Sequence, residues 1–357
     1  VFSNIYQGKR VLVTGHTGFK GSWLVAWLQQ LGAEVSGLAL APDTKPNHFA
    51  LLKLKMDSRI VDIRDYEKLQ KALNEIRPEI IFHLAAQPLV RDSYEIPLET
   101  FAANVLGTAN VLQAMRFVET VKAAVVITSD KCYENKEWVW GYRENDPMGG
   151  YDPYSASKGC AELVTSSFRN SYFNLENYGK THQTLIASAR AGNVIGGGDW
   201  AKDRLIPDIV RAASVGKAVE IRNPNATRPW QHVLECLSGY LALGARLLQG
   251  DKKFAEGWNF APNQDGDASV LNVLQKMQAS WSKVNYEIKQ QKNQPHEANL
   301  LKLDCSKAHA YLHWRNIWDL EKTIEVTTNW YRNFYEQKVL VTLDDIKNYM
   351  AELKDNV

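Results

Sequence analysis

Gly15-His16-Thr17-Gly18-Phe19-Lys20-Gly21 decides how the rest of this 357-residue chain is read. Before it runs Arg10-Val11-Leu12-Val13-Thr14, apolar and β-branched. After it, Ser22 to Leu31 carries Leu24, Ala26, Trp27, Leu28 and Leu31 at helical spacing. Strand, glycine turn and helix in succession are the layout of a dinucleotide site. The N–H groups that open a helix lack partners within it, and the helix dipole favours negative charge there. A pyrophosphate reaches them only where no Cβ intervenes, so glycines line the turn. The spacing is G-x-x-G-x-x-G rather than G-x-G-x-x-G, and taken alone it also fits a tight βα turn with no ligand.

Outward from this stretch the alternation of strand and helix continues. Strands are expected at Glu34 to Leu40, Arg59 to Ile63, Ile80 to Leu84, Ala123 to Ser129 and Thr184 to Ala189. Helices are expected at Tyr66 to Arg77, stopped by Pro78, at Pro97 to Val118, with Pro97 in the first turn, and at Gly159 to Phe173. Nearly continuous apolar strands between helices imply a parallel sheet covered on both faces. The expected fold is therefore α/β, a doubly wound parallel sheet of the Rossmann type, with a smaller mixed α/β C-terminal lobe for substrate. Residues 1–192, with 233–262 returning to them, would form the first unit. Residues 193–232 and 263–357 would form the lobe, entered through the glycine-rich run Gly192 to Trp200. Beyond it, helices are expected at Leu234 to Leu248, Val270 to Trp281, Leu320 to Phe334 and Leu343 to Leu353, the last capped by Thr342, with a short strand at Trp258 to Phe260.

Ligands of open α/β sheets lie at the carboxyl ends of the strands. There this chain places Asp62 and Ile63, Leu84-Ala85-Ala86-Gln87 and Ser129-Asp130-Lys131. Asp62 reads either as a hydrogen-bond acceptor for adenine or, like Asp65, as a cap for the next helix. Asn104 is a poor helix former inside a helix, facing solvent or turned inward to hold a loop or water. His83 reads as a strand residue. Pro153-Tyr154-Ser155-Ala156-Ser157-Lys158 puts a phenol and an ammonium four residues apart, on one face if the helix starts at Pro153. An ammonium beside a phenol favours the phenolate, so Lys158 is expected to bring Tyr154 down from about 10 toward neutral, where it can take a proton from a sugar hydroxyl.

Composition narrows the classes. Lys and Arg number 42 against 40 Asp and Glu, which argues against an electrostatic nucleic-acid binder. Cys132, Cys160, Cys236 and Cys305 show no CxxC spacing and no zinc motif, and suit free thiols in a reducing cytoplasm. No apolar run reads as a signal peptide or approaches the roughly 20 residues of a membrane span. The 11 tryptophans are scattered, as expected of core and pocket walls.

Gly15-x-x-Gly18-x-x-Gly21 with Tyr154-x-x-x-Lys158 resembles the extended short-chain dehydrogenase/reductases, and Leu84-Ala85-Ala86 and Asn104-x-x-Gly107-Thr108 match the pattern between those motifs. Thr128-Ser129-Asp130-Lys131 resembles the nucleotide-sugar 4,6-dehydratases, most of which carry Thr-Asp-Glu where this chain has Ser129-Asp130-Lys131. With Thr227-Arg228-Pro229-Trp230-Gln231-His232-Val233, the Ser-Asp-Lys form is most similar to the branch acting on CDP-glucose. The resemblance implies NAD as cofactor, held by Gly15, Thr17, Gly18, Phe19, Lys20, Gly21, Asp62, Ile63, Leu84, Ala85, Ala86, Asn104, Tyr154 and Lys158. It implies Ser129, Asp130, Lys131, Tyr154 and Lys158 as the catalytic set, and CDP-glucose bound by Gln87, Ser129, Asn193, Arg204 and Arg228. In the implied reaction Tyr154 deprotonates the 4-hydroxyl, Asp130 protonates the departing 6-hydroxyl, and Lys131 removes the C5 proton or supports the enolate electrostatically. Pro295-His296-Glu297 matches a family segment in which arginine follows, whereas here Ala298 and Asn299 follow. The resemblance further implies a homodimer or dimer of dimers paired through the Pro97 and Gly159 helices. Two other readings stay open: a nucleotide-sugar 4-epimerase, which has no use for Asp130-Lys131, and a non-catalytic cofactor sensor, which has no use for Tyr154.

Overall fold

The computed structural model describes residues 2–262, 267–289 and 300–355. Strands β1 (Arg10–Thr14), β2 (Glu34–Ala39), β3 (Asp57–Ile60), β4 (Ile80–His83), β5 (Ala123–Ile127) and β6 (Leu185–Ala191) join the edge strand Gly257–Phe260 in one seven-stranded sheet. Its order is edge strand, β6, β5, β4, β1, β2, β3, and each neighbouring pair is parallel. The order runs outward in both directions from the β1–β4 junction, so a crevice opens there at the strands' carboxyl ends.

Side-chain alternation explains why the strands read as continuously apolar. Val11 and Val13 of β1, Ile80 and Phe82 of β4, and Ala123 and Val125 of β5 enter one core. Leu12, Ile81 and Ala124 enter a second core on the opposite face. Helix α1 (Phe19–Gln30) lies in the larger core, buried from Gly21 to Leu28. Nine of the eleven tryptophans are buried, so their role is packing rather than a surface stacking array.

Several boundaries differ from expectation. β3 spans Asp57–Ile60, not Arg59 to Ile63, because its partner β2 ends at Ala39, paired with Ile60. Asp65 caps the Tyr66–Ile76 helix by accepting from the Lys68 N–H, and Asp62 instead pairs with Arg64. The helix expected from Pro97 to Val118 is three segments, Pro97–Phe101, the π turn Ala102–Leu106, and Gly107–Met115. The helix expected at Gly159 begins at Pro153 and runs to Ser171, capped by Asp152. Thr342 opens the Thr342–Asp355 helix, and its hydroxyl meets His48 Nε2 at 2.8 Å and Trp330 Nε1 at 2.9 Å. The Leu205–Ser214 helix and the pairs Ala218–Ile221/Asn285–Ile288 and Thr227–Pro229/Asp267–Ser269 went unforeseen. Pro295 to Asn299 lie outside the described residues.

Candidate active site

The crevice at the β1–β4 junction is a cleft of about 1320 Å³. Single small-molecule pockets measure roughly 300–1,000 Å³, so this volume suits two ligands end to end. The glycine turn forms one wall. Gly15 has φ +76°, and a Cβ there would stand 2.7 Å from the Ala85 nitrogen. A Cβ on Gly21 would stand 2.2 Å from the Gly15 carbonyl oxygen. The turn therefore closes only with glycine at both positions. Gly18 N-caps α1 with no side-chain hydrogen bond, leaving the helix's opening N–H groups to the cleft. These features fit a diphosphate. Thr17 donates to the Leu40 carbonyl at 3.0 Å, which holds the turn to the end of β2.

The second wall brings the chemistry together. Ser129-Asp130-Lys131 turns away from the end of β5, with Ser129 Oγ 2.9 Å from Asp130 Oδ1 and accepting from the Lys131 N–H at 3.2 Å. Tyr154 and Lys158 share one face of the Pro153–Ser171 helix, the ammonium 6.0 Å from the phenol ring centre. All five residues line the cleft. Burial pushes the Asp130 carboxyl above its usual range, against the pull of Lys131, Ser129 and Lys20. Lys158 is lowered to about 8, by burial first and then by the like charge of Lys20.

Tyr154 departs from expectation. Burial raises its phenol to about 12, with Ser129 and Arg204 working against the rise and Asp130 and Asp152 adding to it. Withdrawal of water penalises the phenolate by more than the surrounding polar groups return.

Asn104 takes the inward of its two expected orientations and holds a loop, but it is not against the cofactor space where the resemblance would put it. It is 1% exposed and off the cleft wall. Its Oδ1 accepts from the Gln87 N–H at 2.8 Å, and its Nδ2 donates to the Gln87 carbonyl at 3.1 Å and to Ser157 Oγ at 2.8 Å. From the π turn this side chain points inward and holds the loop after β4 against the Tyr154 helix. His83 is a buried strand residue between Thr14 and Thr108.

Asp62, Ile63, Leu84, Ala85, Ala86, Gln87, Asn193, Arg204 and Arg228 all reach the cleft. The Gln87 amide is turned onto its own loop and donates to Leu89 O and Thr100 Oγ1. Arg204 pairs with Asp199 at 2.9 Å, and its charge reaches Tyr154. Trp230 and His232 are buried. Trp230 donates to the Ala268 carbonyl, and His232 caps the Val233–Leu248 helix. Sequence reading missed Asp199, Arg222 and Asn223, which line the same cleft. Arg222 follows Ala218–Ile221, whose alternate burial was the available signal, though four residues are too short to read as a strand.

Residues 12–327 match the family model for GDP-mannose 4,6 dehydratase. The chain belongs to that family. Within it, the chain is 54% identical over 352 residues to CDP-glucose 4,6-dehydratase of Salmonella typhimurium, covering 98% of each. It is 25% identical to dTDP-glucose 4,6-dehydratase of Haemophilus influenzae, over 90% of this chain and 97% of that enzyme. Among solved structures it is similar to UDP-glucose 4-epimerase of Thermotoga maritima (TM-score 0.77, 21% identity, 91% of this chain and 99% of that). It is also similar to the Thermus thermophilus UDP-glucose 4-epimerase complex with NAD (TM-score 0.75, 24% identity, 90% and 98%). At those identities the shared property is the fold, a Rossmann-type sheet flanked by helices. No helix among the described residues is long and apolar enough to cross a membrane.

Proposed function

We propose that this chain dehydrates CDP-glucose to CDP-4-dehydro-6-deoxyglucose with NAD as cofactor. The observation that carries the reading is the placement of Ser129-Asp130-Lys131 on the cleft wall with Tyr154 and Lys158, in a chain 54% identical throughout to a CDP-glucose 4,6-dehydratase. The glycine turn would hold the diphosphate of the cofactor, with Asp62 and Ile63 toward its adenine and Leu84, Ala85 and Ala86 beneath it. When bound, NAD would supply the hydride acceptor for C4 and the hydride donor for C6.

The side chains then divide the proton transfers. Tyr154 takes the 4-hydroxyl proton. Burial favours its neutral phenol, and Ser129 and Arg204 oppose that effect. Lys158 supports the phenolate and Ser129 bonds the 4-oxygen. The ketone at C4 acidifies C5, and Lys131 removes that proton or stabilises the enolate; a proton goes back to C5 when the hydride reaches C6. Asp130, whose carboxyl burial favours in the neutral form, protonates the departing 6-hydroxyl. Gln87 and Asn193 would contact the sugar, and Arg204 and Arg228 the diphosphate.

We read residues 1–192 with 233–262 as the cofactor unit, and 193–232 with 263–357 as the nucleotide-sugar lobe. We infer a cytoplasmic homo-oligomer. Leu98 (79% exposed), Leu106 (61%) and Leu163 (60%) form outward apolar positions on the two helices that would pair. The 4-keto-6-deoxy product suits a route to 3,6-dideoxyhexoses of lipopolysaccharide. Incubation with CDP-, dTDP-, GDP- and UDP-glucose tests the reading through the alkaline ultraviolet absorbance of a 4-keto-6-deoxy sugar. Absorbance is expected with CDP-glucose first. Interconversion of glucose and galactose without absorbance would identify an epimerase, and no product from any of them would overturn the proposal.

A further inference from the structure

Behind the reacting groups lies a buried ion pair to which the chemistry above gives no role. Glu162, on the Pro153–Ser171 helix, is 4% exposed, and Arg190, on β6, is 5% exposed. Arg190 Nη2 stands 2.8 Å from Glu162 Oε2. The same carboxylate accepts from Ser188 Oγ at 2.6 Å and, through Oε1, from Thr128 Oγ1 at 2.5 Å. The other guanidinium arm donates to the Tyr133 hydroxyl at 2.6 Å and to the Glu144 carbonyl at 3.0 Å. Tyr133 donates onward to Asn259 Oδ1 at 2.8 Å, on the edge strand.

The connectivity is specific. Thr128 directly precedes Ser129. Glu162 follows Lys158 by four residues and Tyr154 by eight, so the three share a helix face. One carboxylate thus joins the helix bearing the phenol to the strand end bearing Ser129-Asp130-Lys131. Two charges withdrawn from water are weak contributors to net stability, and an apolar pair of similar volume would serve packing as well. Both oxygens of the Glu162 carboxylate have partners, and only Arg190 Nε among the guanidinium nitrogens has none, so the network fixes one arrangement of the helix and strands it joins. Misplacement of reacting groups by about 1 Å costs on the order of 100-fold in rate.

We propose that Glu162 is a positioning residue, whose carboxylate, anchored by Arg190 and grasped by Thr128, sets the spacing between Tyr154 and the Ser129-Asp130-Lys131 turn. This rests on the dehydratase reading above. It carries an electrostatic consequence for Lys158. The charged or titratable groups acting on that ammonium are Lys20 from α1, Cys132 from the turn after β5, and Glu162 from its own helix, with His83 of β4 coupled to it. Glu162 is among those that oppose the lowering of Lys158.

The test compares Glu162→Gln and Thr128→Val with the parent protein, using CDP-glucose. Glu162→Gln keeps the shape and removes the charge. It is expected to lower kcat about 10–100-fold with KM changed less than about 2-fold, because geometry rather than substrate affinity is lost. The limb of the pH profile belonging to Lys158 is expected to move to lower pH. Thr128→Val removes one hydrogen bond without stranding a charge, and is expected to lower kcat about 3–10-fold with KM and the pH limb unchanged. Combining the two should cost less than the product of the single effects, since they act on a shared bond. A folded Glu162→Gln protein with parental kcat and pH profile would overturn the proposal. If that variant does not fold, parental kcat in Thr128→Val overturns it. A parent protein that forms no 4-keto-6-deoxy product overturns the dehydratase reading instead, so the two failures are separable.

Discussion

A lysine takes a proton from carbon only as the free amine, so Lys131 is the residue at which the proposed elimination is most exposed to test. It sits on the cleft wall one residue from Asp130, and the two would act on neighbouring carbons of one sugar. Lys131→Ala should slow elimination more than the first oxidation, so reduced nicotinamide should build up when CDP-glucose is added, which stopped-flow absorbance reads directly. Full turnover without that build-up would remove Lys131 from the reaction. Lys20 offers a test of the electrostatics. Its charge helps hold Lys158 near 8. Lys20→Met removes a like charge, so the Lys158 limb in the pH dependence of kcat/KM should move upward. An unmoved limb would mean that burial alone sets it.

At the scale of elements, the irregular segment is the informative one. Asn104 lies in the π turn Ala102–Leu106, on the buried face it shares with Thr100 and Thr108. There it meets both backbone groups of Gln87 and the hydroxyl of Ser157, which in turn donates to the Tyr154 carbonyl at 2.7 Å. Asn104→Ala would take protein partners from two partly buried backbone groups of Gln87, at about 1 kcal/mol each. The denaturation midpoint should fall accordingly, and kcat should fall with it, because the loop after β4 and the Tyr154 helix lose their tie. A loss of stability with kcat intact would confine Asn104 to folding.

For the molecule as a whole, buried titratable groups set how stability answers to pH. His48, His83 and His232 are lowered to about 3 and His16 to about 4, with burial the first cause in each. Between those values and 6.5 the unfolded chain binds protons that the folded chain refuses, so stability falls as pH drops through that window. Glu235 and Asp345 are raised to about 7 by burial. They work in the opposite sense: the folded chain holds protons that the unfolded chain releases above their ordinary values, so their contribution declines as pH rises toward 7. Among these six groups the four histidines outweigh the two carboxyls below about pH 6, so Tm is expected to fall as the pH is lowered through that range. Glu235 accepts from the Trp318 N–H and the Tyr349 hydroxyl, both at 2.8 Å, and so ties the C-terminal helix to the core. Glu235→Gln mimics the protonated form. Its Tm relative to the parent should therefore rise between pH 5 and pH 8, by up to roughly 3 kcal/mol in stability, and a difference independent of pH would show that this carboxyl does not titrate there.

What the chain declares by itself is local. The strand, glycine turn and helix from Arg10 to Leu31, the apolar runs of β4 and β5, and the Tyr154–Lys158 spacing are periodicities written in neighbouring residues, and they suffice for the fold and for most of the cleft wall. The end of β3 needed the end of β2, and the choice between the two directions open to Asn104 needed Gln87 and Ser157 brought beside it. The Glu162–Arg190 pair joins residues 28 apart on a helix and a strand. The proton affinity of Tyr154 is not legible in the sequence, because spacing reveals a neighbouring ammonium but not the water that folding removes. Only tertiary structure decides burial, and for a phenol or a carboxyl in this cleft burial outweighs the charge next door.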